Sequence, residues 1–326
     1  MRSWRSHELG DPGEVLQIDE VDSPSPGPGQ VLIDTRAVGL TFPDVLSCRG
    51  EYQVPTKLPY TPGGETAGVV SGLGDGVEGL EIGTAVAVLG GGLREQNVVA
   101  ATSVFPYPED ALTAAQAAAV PVNYGTTWFA LHDRARLQAG ETVLITGAAG
   151  GTGTACIQLT QAAGGTPIAV VGGAEKVDLV RGMGVEHVVD HRETPQWVDL
   201  VRDMSGGGVD VAYDPVGGDA FHQVRRCMAW DGRLLVIGFV GGIPDAPANH
   251  VLLKNYSIVG VHWGASLMRD PTAVGRQMGE VFALAERGDV APPLYPPFAF
   301  EDAAEALQAM AERRVWGKAV VEVPPT

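Results

Sequence analysis

The sequence predicts a two-domain α/β chain: a doubly wound parallel sheet over residues 124–264, and a mostly β domain assembled from 1–123 and 265–326. Three observations carry this. Continuous apolar runs of strand length alternate with helical patterns between 142 and 261. Before 124 the texture is short runs rich in Gly, Pro, Val and Thr, each bounded by turn residues. After 265 the chain offers two helices and one last strand, which would return to complete the first domain. With 326 residues, 45% of them hydrophobic, the chain can bury two cores.

In chain order, the first eight residues contain Arg2 and Arg5 but no apolar stretch follows, so a secretory leader is not expected and a cytoplasmic location is. A turn-dense loop at 24–29 leads into a strand at 30–36, and 84–88 is a second clear β run. Candidate parallel strands fall at 142–146, 167–171, 209–213, 233–237 and 256–261. Runs this apolar are what a sheet covered on both faces requires. The tail is read as helices at 272–287 and 301–313 and a strand at 318–323.

Charge excludes some functions. With 39 acidic against 22 basic residues the net charge is −17, which repels nucleic acid and anionic lipid, and no apolar run approaches the ~20 residues of a membrane span. Any anionic ligand must be held locally. Cys48, Cys156 and Cys227 form neither a disulfide framework nor a Cys-x-x-Cys pair, and are expected as reduced thiols, two of them buried.

Residues 145–153, Ile-Thr-Gly-Ala-Ala-Gly-Gly-Thr-Gly, leave a strand and open a helix that continues through Cys156 and Leu159. Small residues let the backbone bring free amides to a pyrophosphate, and the helix N-terminus adds the positive end of its dipole. A ligand-free turn is the competing reading, and the strand–helix–strand context weighs against it. Short-chain dehydrogenases have a similar loop, but near the N-terminus and with a Tyr-x-x-x-Lys pair; here the loop is mid-chain and none of the seven tyrosines has a lysine four residues on. At the end of the next strand, where an NAD-binding chain places Asp or Glu on the ribose, stand Gly172 and Gly173. Glycine leaves room for a 2′-phosphate that a carboxylate would repel. Lys176 follows within a turn, and His191 and Arg192 close a third strand, so three cationic donors can converge there. The reading is a Rossmann-type domain preferring NADPH, against one in which Lys176 and Arg192 are ordinary solvated charges, Lys176 beside Glu175.

Further segments fall in a specific order: 39–44 (Gly-Leu-Thr-Phe-Pro-Asp), 62–68 (Pro-Gly-Gly-Glu-Thr-Ala-Gly), 123–127 (Asn-Tyr-Gly-Thr-Thr), 148–153, 175–176 (Glu-Lys), 213–218 (Tyr-Asp-Pro-Val-Gly-Gly), 254–255 (Lys-Asn) and 317–318 (Gly-Lys). Through them the chain resembles, over essentially its whole length, the zinc-independent quinone oxidoreductases, the zeta-crystallin-like branch of the medium-chain dehydrogenase/reductase superfamily. The resemblance implies a GroES-like catalytic domain beside the Rossmann-type one. It also implies hydride transfer from NADPH to a quinone or similar electron-poor acceptor. Where the alcohol-dehydrogenase branch holds zinc with a Cys and a His, this chain has Thr41 and Gly64, and no cysteine lies between 48 and 156, so no metal is expected. Cofactor contacts are implied for Thr127, Gly150, Gly151, Thr152, Gly153, Gly173, Lys176, His191 and Arg192, and, near the nicotinamide, for Gly238, Phe239, Val240, His262, Trp263 and Gly264. Two departures matter. The family usually has Asn at Thr41, so its hydrogen bond must be remade by a shorter hydroxyl, and commonly Tyr at His191, where an imidazole brings pH dependence.

The candidate catalytic residues are Tyr52, Thr41 and Asp44. The Tyr52 phenol either donates to the developing enolate or hydroquinolate oxygen or serves as an aromatic wall. Asp44, ionised, is better suited to fixing local backbone than to proton chemistry. Cys48 reads as a small buried apolar residue, and His7, His132, His222 and His250 as structural or surface groups. Two other functions stay open: an enone or acyl-thioester double-bond reductase, and an NADPH-binding protein with little turnover. The expected partners are a small quinone or enone and a second copy of the chain, because the strand at 256–261 is an edge that pairing would cover.

Overall fold

The computed structural model describes residues 1–325. The chain divides into one unit of Met1–Val122 with the stretch from Val274 on, and a second of Asn123–Ala273. The return to the first unit comes at Val274 rather than at 265. The intervening helix Trp263–Arg269 is anchored by the buried Trp263, whose indole lies where a Cβ on Gly125 would stand.

In the first unit the longest strand, Gln30–Gly39, alternates in burial, with Val31, Ile33, Thr35 and Ala37 inside. It pairs antiparallel with Glu65–Leu73, Gln96–Ala100 and Val320–Glu322, and the seven-stranded sheet continues through Ala85–Leu89 to Val104–Pro106. Val31, Ile33, Val70, Val86, Val88, Val99 and Val104 form one core. Trp4, Val38, Leu40, Val45, Cys48, Leu93, Phe300 and Leu307 form another, closed by helices Phe42–Arg49 and Ala303–Ala311. The final strand is only Val320–Glu322, because Lys318 just before it turns inward. Its ammonium pairs with Glu65, both side chains being buried, and the other Glu65 oxygen accepts the Val122 amide at 2.7 Å. The pair spans 253 residues of sequence and ties the returning tail to the strand that follows the Pro62–Gly64 loop.

The second unit is a six-stranded sheet, parallel throughout, in the order His187–Asp190, Thr166–Val171, Thr142–Thr146, Val209–Asp214, Met228–Val236, Ser257–Gly260. Its central strands are fully buried at Val143, Leu144, Ile145, Val211, Ala212 and Tyr213. Two strands differ from expectation. The one predicted at 233–237 begins at Met228, through an irregular stretch with Asp231 at φ +64°. The one predicted at 256–261 is Ser257–Gly260, since Tyr256 turns into the core. All three cysteines are buried, not two. Among the described residues no helix is long and apolar enough to cross a membrane.

Removing one partner of a buried ion pair leaves the other charge uncompensated, at a cost of about 3–5 kcal/mol. Lys318→Met is expected to lower the unfolding free energy by that amount, with Glu65→Gln added to it recovering part of the loss. Urea denaturation of both variants checks this, and a single variant as stable as wild type would mean that the pair does not hold the tail.

Candidate functional site

In the second unit, strands that run the same way end along one edge, and the segments singled out for a cofactor leave from those ends. Residues 147–153 follow Thr142–Thr146, 172–176 follow Thr166–Val171, and 191–192 follow His187–Asp190. Likewise 215–218 follow Val209–Asp214, 238–240 follow Met228–Val236, and 262–264 follow Ser257–Gly260. The order of strands reverses between Thr142–Thr146 and Val209–Asp214, the switch point at which open α/β sheets bind ligands.

Helix Gly151–Ala162 starts at that switch point. Its N-cap, Gly150, has no side chain to satisfy the first amides, which are the donors an anion takes up. Gly153 is dictated by packing, because a Cβ there would lie 2.4 Å from the Gly147 carbonyl oxygen. Beside the loop, one carboxylate oxygen of the buried Asp214 accepts from the Thr146 hydroxyl at 2.5 Å and from the amides of Val216 and Gly217 at 3.0 and 3.2 Å. It fixes the turn on which 238–242 rests, through Gly241 N–H to Val216 O at 2.7 Å and Gly218 N–H to Gly242 O at 2.8 Å. Phe239 and Val240 are 38% and 40% exposed there, an apolar surface.

Not every expected contact lies on the surface of this edge. Thr127 is fully buried in helix Pro121–Trp128, its hydroxyl donating to the Asn123 carbonyl at 2.8 Å and lying 3.0 Å from the Tyr213 hydroxyl. It supports the loop from beneath. His262 and Gly264 are exposed, while Trp263 between them is buried.

At the far end of the same edge, His191 and Arg192 close over the two glycines. A Cβ on Gly172 would stand 2.6 Å from His191 Nε2 and 3.3 Å from Arg192 Nε, and one on Gly173 would stand 3.0 Å from Arg192 Nη1. Lys176 is half-buried in the first turn of helix Ala174–Gly182. Asp190 was not singled out by the sequence. Its Oδ1 accepts the amides of Gly173 at 3.0 Å and Arg192 at 2.9 Å, and these bonds, Gly173's first, hold the carboxyl below its usual range.

In the first unit Asp44 is a hub. One oxygen accepts the Thr41 amide at 2.8 Å and the Thr41 hydroxyl at 2.7 Å; the other accepts the Gly63 amide at 2.9 Å and the Tyr60 hydroxyl at 3.1 Å. This capping box starts helix Phe42–Arg49 and pins the Pro62–Gly64 loop to it. Tyr60 is a further residue that the sequence reading missed, although it stands immediately before the recognisable 62–68 segment. Burial and then the Asp44 charge push its phenol pKa upward, so it stays neutral. Tyr52 lies half-buried on the loop after the helix and has no part in this network. Burial, followed by the Asp44 charge, pushes the Cys48 thiol up to about 12, which removes it as a nucleophile. Among the described residues no three His, Cys, Asp or Glu side chains are grouped to hold a metal ion.

Asp44→Ala would orphan two backbone amides and two hydroxyls at a buried position, and a buried donor without an acceptor costs about 1–3 kcal/mol. A stability loss of about 2–4 kcal/mol is therefore expected by urea denaturation. Unchanged stability with lost activity would instead make Asp44 a participant in the chemistry.

Comparison with known proteins identifies the family and the fold. Residues 27–109 match the alcohol dehydrogenase GroES-like domain and residues 151–276 the zinc-binding dehydrogenase domain. Quinone oxidoreductase-like protein 2 of Mus musculus is 35% identical over 327 aligned residues, covering 99% of this chain and 93% of that protein. A probable oxidoreductase from Mycobacterium abscessus superimposes with a TM-score of 0.90 at 36% identity, covering 99% of each chain. The quinone oxidoreductase of Thermus thermophilus, also solved in complex with NADPH, superimposes with a TM-score of 0.85 at 30% identity over 99% of this chain and 100% of that one. The chain belongs to the quinone oxidoreductase-like branch of the medium-chain dehydrogenase/reductase superfamily of oxidoreductases.

Proposed function

We propose that the chain is an NADPH-dependent reductase that passes hydride to a quinone or a similarly electron-poor acceptor without a metal. The observation that carries the cofactor choice is the corner at Gly172 and Gly173, which bring no carboxylate of their own and against which two basic side chains pack. His191 and Arg192 lean over it, and one oxygen of the nearby Asp190 carboxylate, Oδ1, is engaged by backbone amides. The guanidinium of Arg192 offers a 2′-phosphate a charge-assisted partner there, and neither glycine supplies the carboxylate that an NAD site places on the ribose. The uncapped start of helix Gly151–Ala162 suits the pyrophosphate, and Phe239 and Val240 offer an apolar wall for the nicotinamide.

NADPH, when bound, supplies the hydride. The protein's part is to orient the acceptor, exclude water and place a proton donor. The Thr41 hydroxyl gives its proton to Asp44 and so faces a substrate as an acceptor, which suits positioning rather than acid catalysis. The Tyr52 phenol makes no hydrogen bond among the described residues and is the group we assign as donor to the developing oxygen. Thr41 and Gly64 offer no zinc ligand, and an acceptor that is already electron-poor does not need the charge stabilisation a metal would give.

The test is NADPH and NADH oxidation by the purified protein over a panel of quinones and enones, with and without a chelator. Turnover of quinones with NADPH, unaffected by chelation, is expected. Exclusive turnover of enones would shift the assignment to double-bond reduction, and tight NADPH binding with no turnover on any acceptor would make the chain a binding protein.

We also assign a homodimer. The last strand of the parallel sheet, Ser257–Gly260, is an edge with partly exposed residues, and Leu252 and Leu253, on the helix that leads into it, are 79% and 74% exposed. Light scattering at micromolar concentration should give twice the chain mass, and Ile258→Lys should reduce it to one. A wild-type monomer would contradict this.

A further inference from the structure

Asp190 raises an electrostatic question. A carboxylate beside a site meant for a 2′-phosphate ought to weaken it, yet the residue closes strand His187–Asp190, next to His191 and Arg192. Its bonds answer this. The same Oδ1 atom accepts from Gly173 and Arg192, two amides that come from different connections of the sheet. Gly173 belongs to the turn after Thr166–Val171, where its φ of +98° is open to glycine and strained for other residues. Arg192 belongs to the turn after His187–Asp190, itself tied down by His191 N–H to Val171 O at 2.9 Å. One carboxylate oxygen thus joins the two turns, and the guanidinium of Arg192 lies 3.0 Å from the Cβ position of Gly173.

We propose that Asp190 is a positioning residue for cofactor choice: by joining the Gly173 and Arg192 amides it holds Arg192 over the glycine corner and so makes the 2′-phosphate subsite. This rests on the NADPH reading above. Two effects of the carboxylate oppose each other, repulsion of a phosphate by its charge and pre-organisation of the cation that binds it. The repulsion is softened because both amide dipoles point at the charge, and the subsite is open to water, which screens it further. The pre-organisation adds to the bond from His191 N–H to Val171 O, which joins the same two strand ends but engages neither Gly173 nor Arg192. The rival role for an acid here is to accept the ribose hydroxyls of NADH, in which case its removal would favour NADPH.

The experiment is the dissociation constants of NADPH and NADH for wild type, Lys176→Ala, Asp190→Ala and Asp190→Asn. Asparagine keeps an oxygen able to accept both amides without the charge. Asp190→Ala is expected to weaken NADPH about tenfold while leaving NADH within about twofold, and Asp190→Asn to stay close to wild type. If Asp190→Ala does not yield folded protein, Asp190→Ser, whose hydroxyl is too short to bridge both turns, gives the same reading. Equal losses for both cofactors, a gain in NADPH affinity, or an Asp190→Asn as weak as Asp190→Ala would each overturn the proposal. The two claims fail separately. Wild-type preference for NADPH, lost in Lys176→Ala but untouched in Asp190→Ala, removes only the role of Asp190, whereas wild-type preference for NADH removes the NADPH reading and this proposal with it.

Discussion

Six strands running in one direction must all end along the same edge, and what this chain does depends on what those ends carry. A sheet buried on both faces satisfies its backbone internally, and its side chains are nearly all apolar, so chemistry is confined to the turns where the ladder stops. The second unit meets that constraint with small residues and short polar anchors. Asp214 and Asp190, each closing a strand, turn their carboxylates onto backbone amides of the turns that follow. Two buried or half-buried acids thereby set the shape of an edge suited to an anionic ligand, on a chain whose net charge of −17 would otherwise repel one.

The first unit applies the same device to a different end. Asp44 organises the start of one helix and the following glycine loop, and Glu65, just beyond that loop, is locked to Lys318 from the returning tail. Thr41 at the helix start and Gly64 in that loop offer no zinc ligand. In this chain the loop is held through the Gly63 amide and the Tyr60 hydroxyl, both donating to Asp44.

Much of this was legible in the sequence because it is local. The strand at 142–146 and the glycine loop follow from a continuous apolar run and from spacing, and the position of His191 and Arg192 from their place after a strand. What was not legible is long-range or hidden by burial. Asp190 looks like an ordinary acid at a strand end until the Gly173 amide, 17 residues away, is brought to it by the pairing of two strands. The Glu65–Lys318 pair has no local signature at all. Thr127 has the right residue type at a recognisable position, yet it lies in the core with its hydroxyl spent on Asn123. Tyr60 could have been found, since a tyrosine just before the 62–68 segment and sixteen residues after an aspartate is close enough for a helix and a loop to bring them together. The sequence pattern puts the return to the first unit at 265 and the structure at Val274, and the packing of Trp263 on Gly125 is not a pattern in either segment.

The claim that a nicotinamide dinucleotide lies along the carboxyl edge of the parallel sheet is tested most directly by amide hydrogen exchange with and without saturating NADPH. Slowed exchange is expected in 147–153, 172–176, 191–192, 215–218, 238–242 and 262–264, with the strands themselves already protected in both states. Unchanged exchange in these turns, or protection confined to residues before 123, would contradict the account.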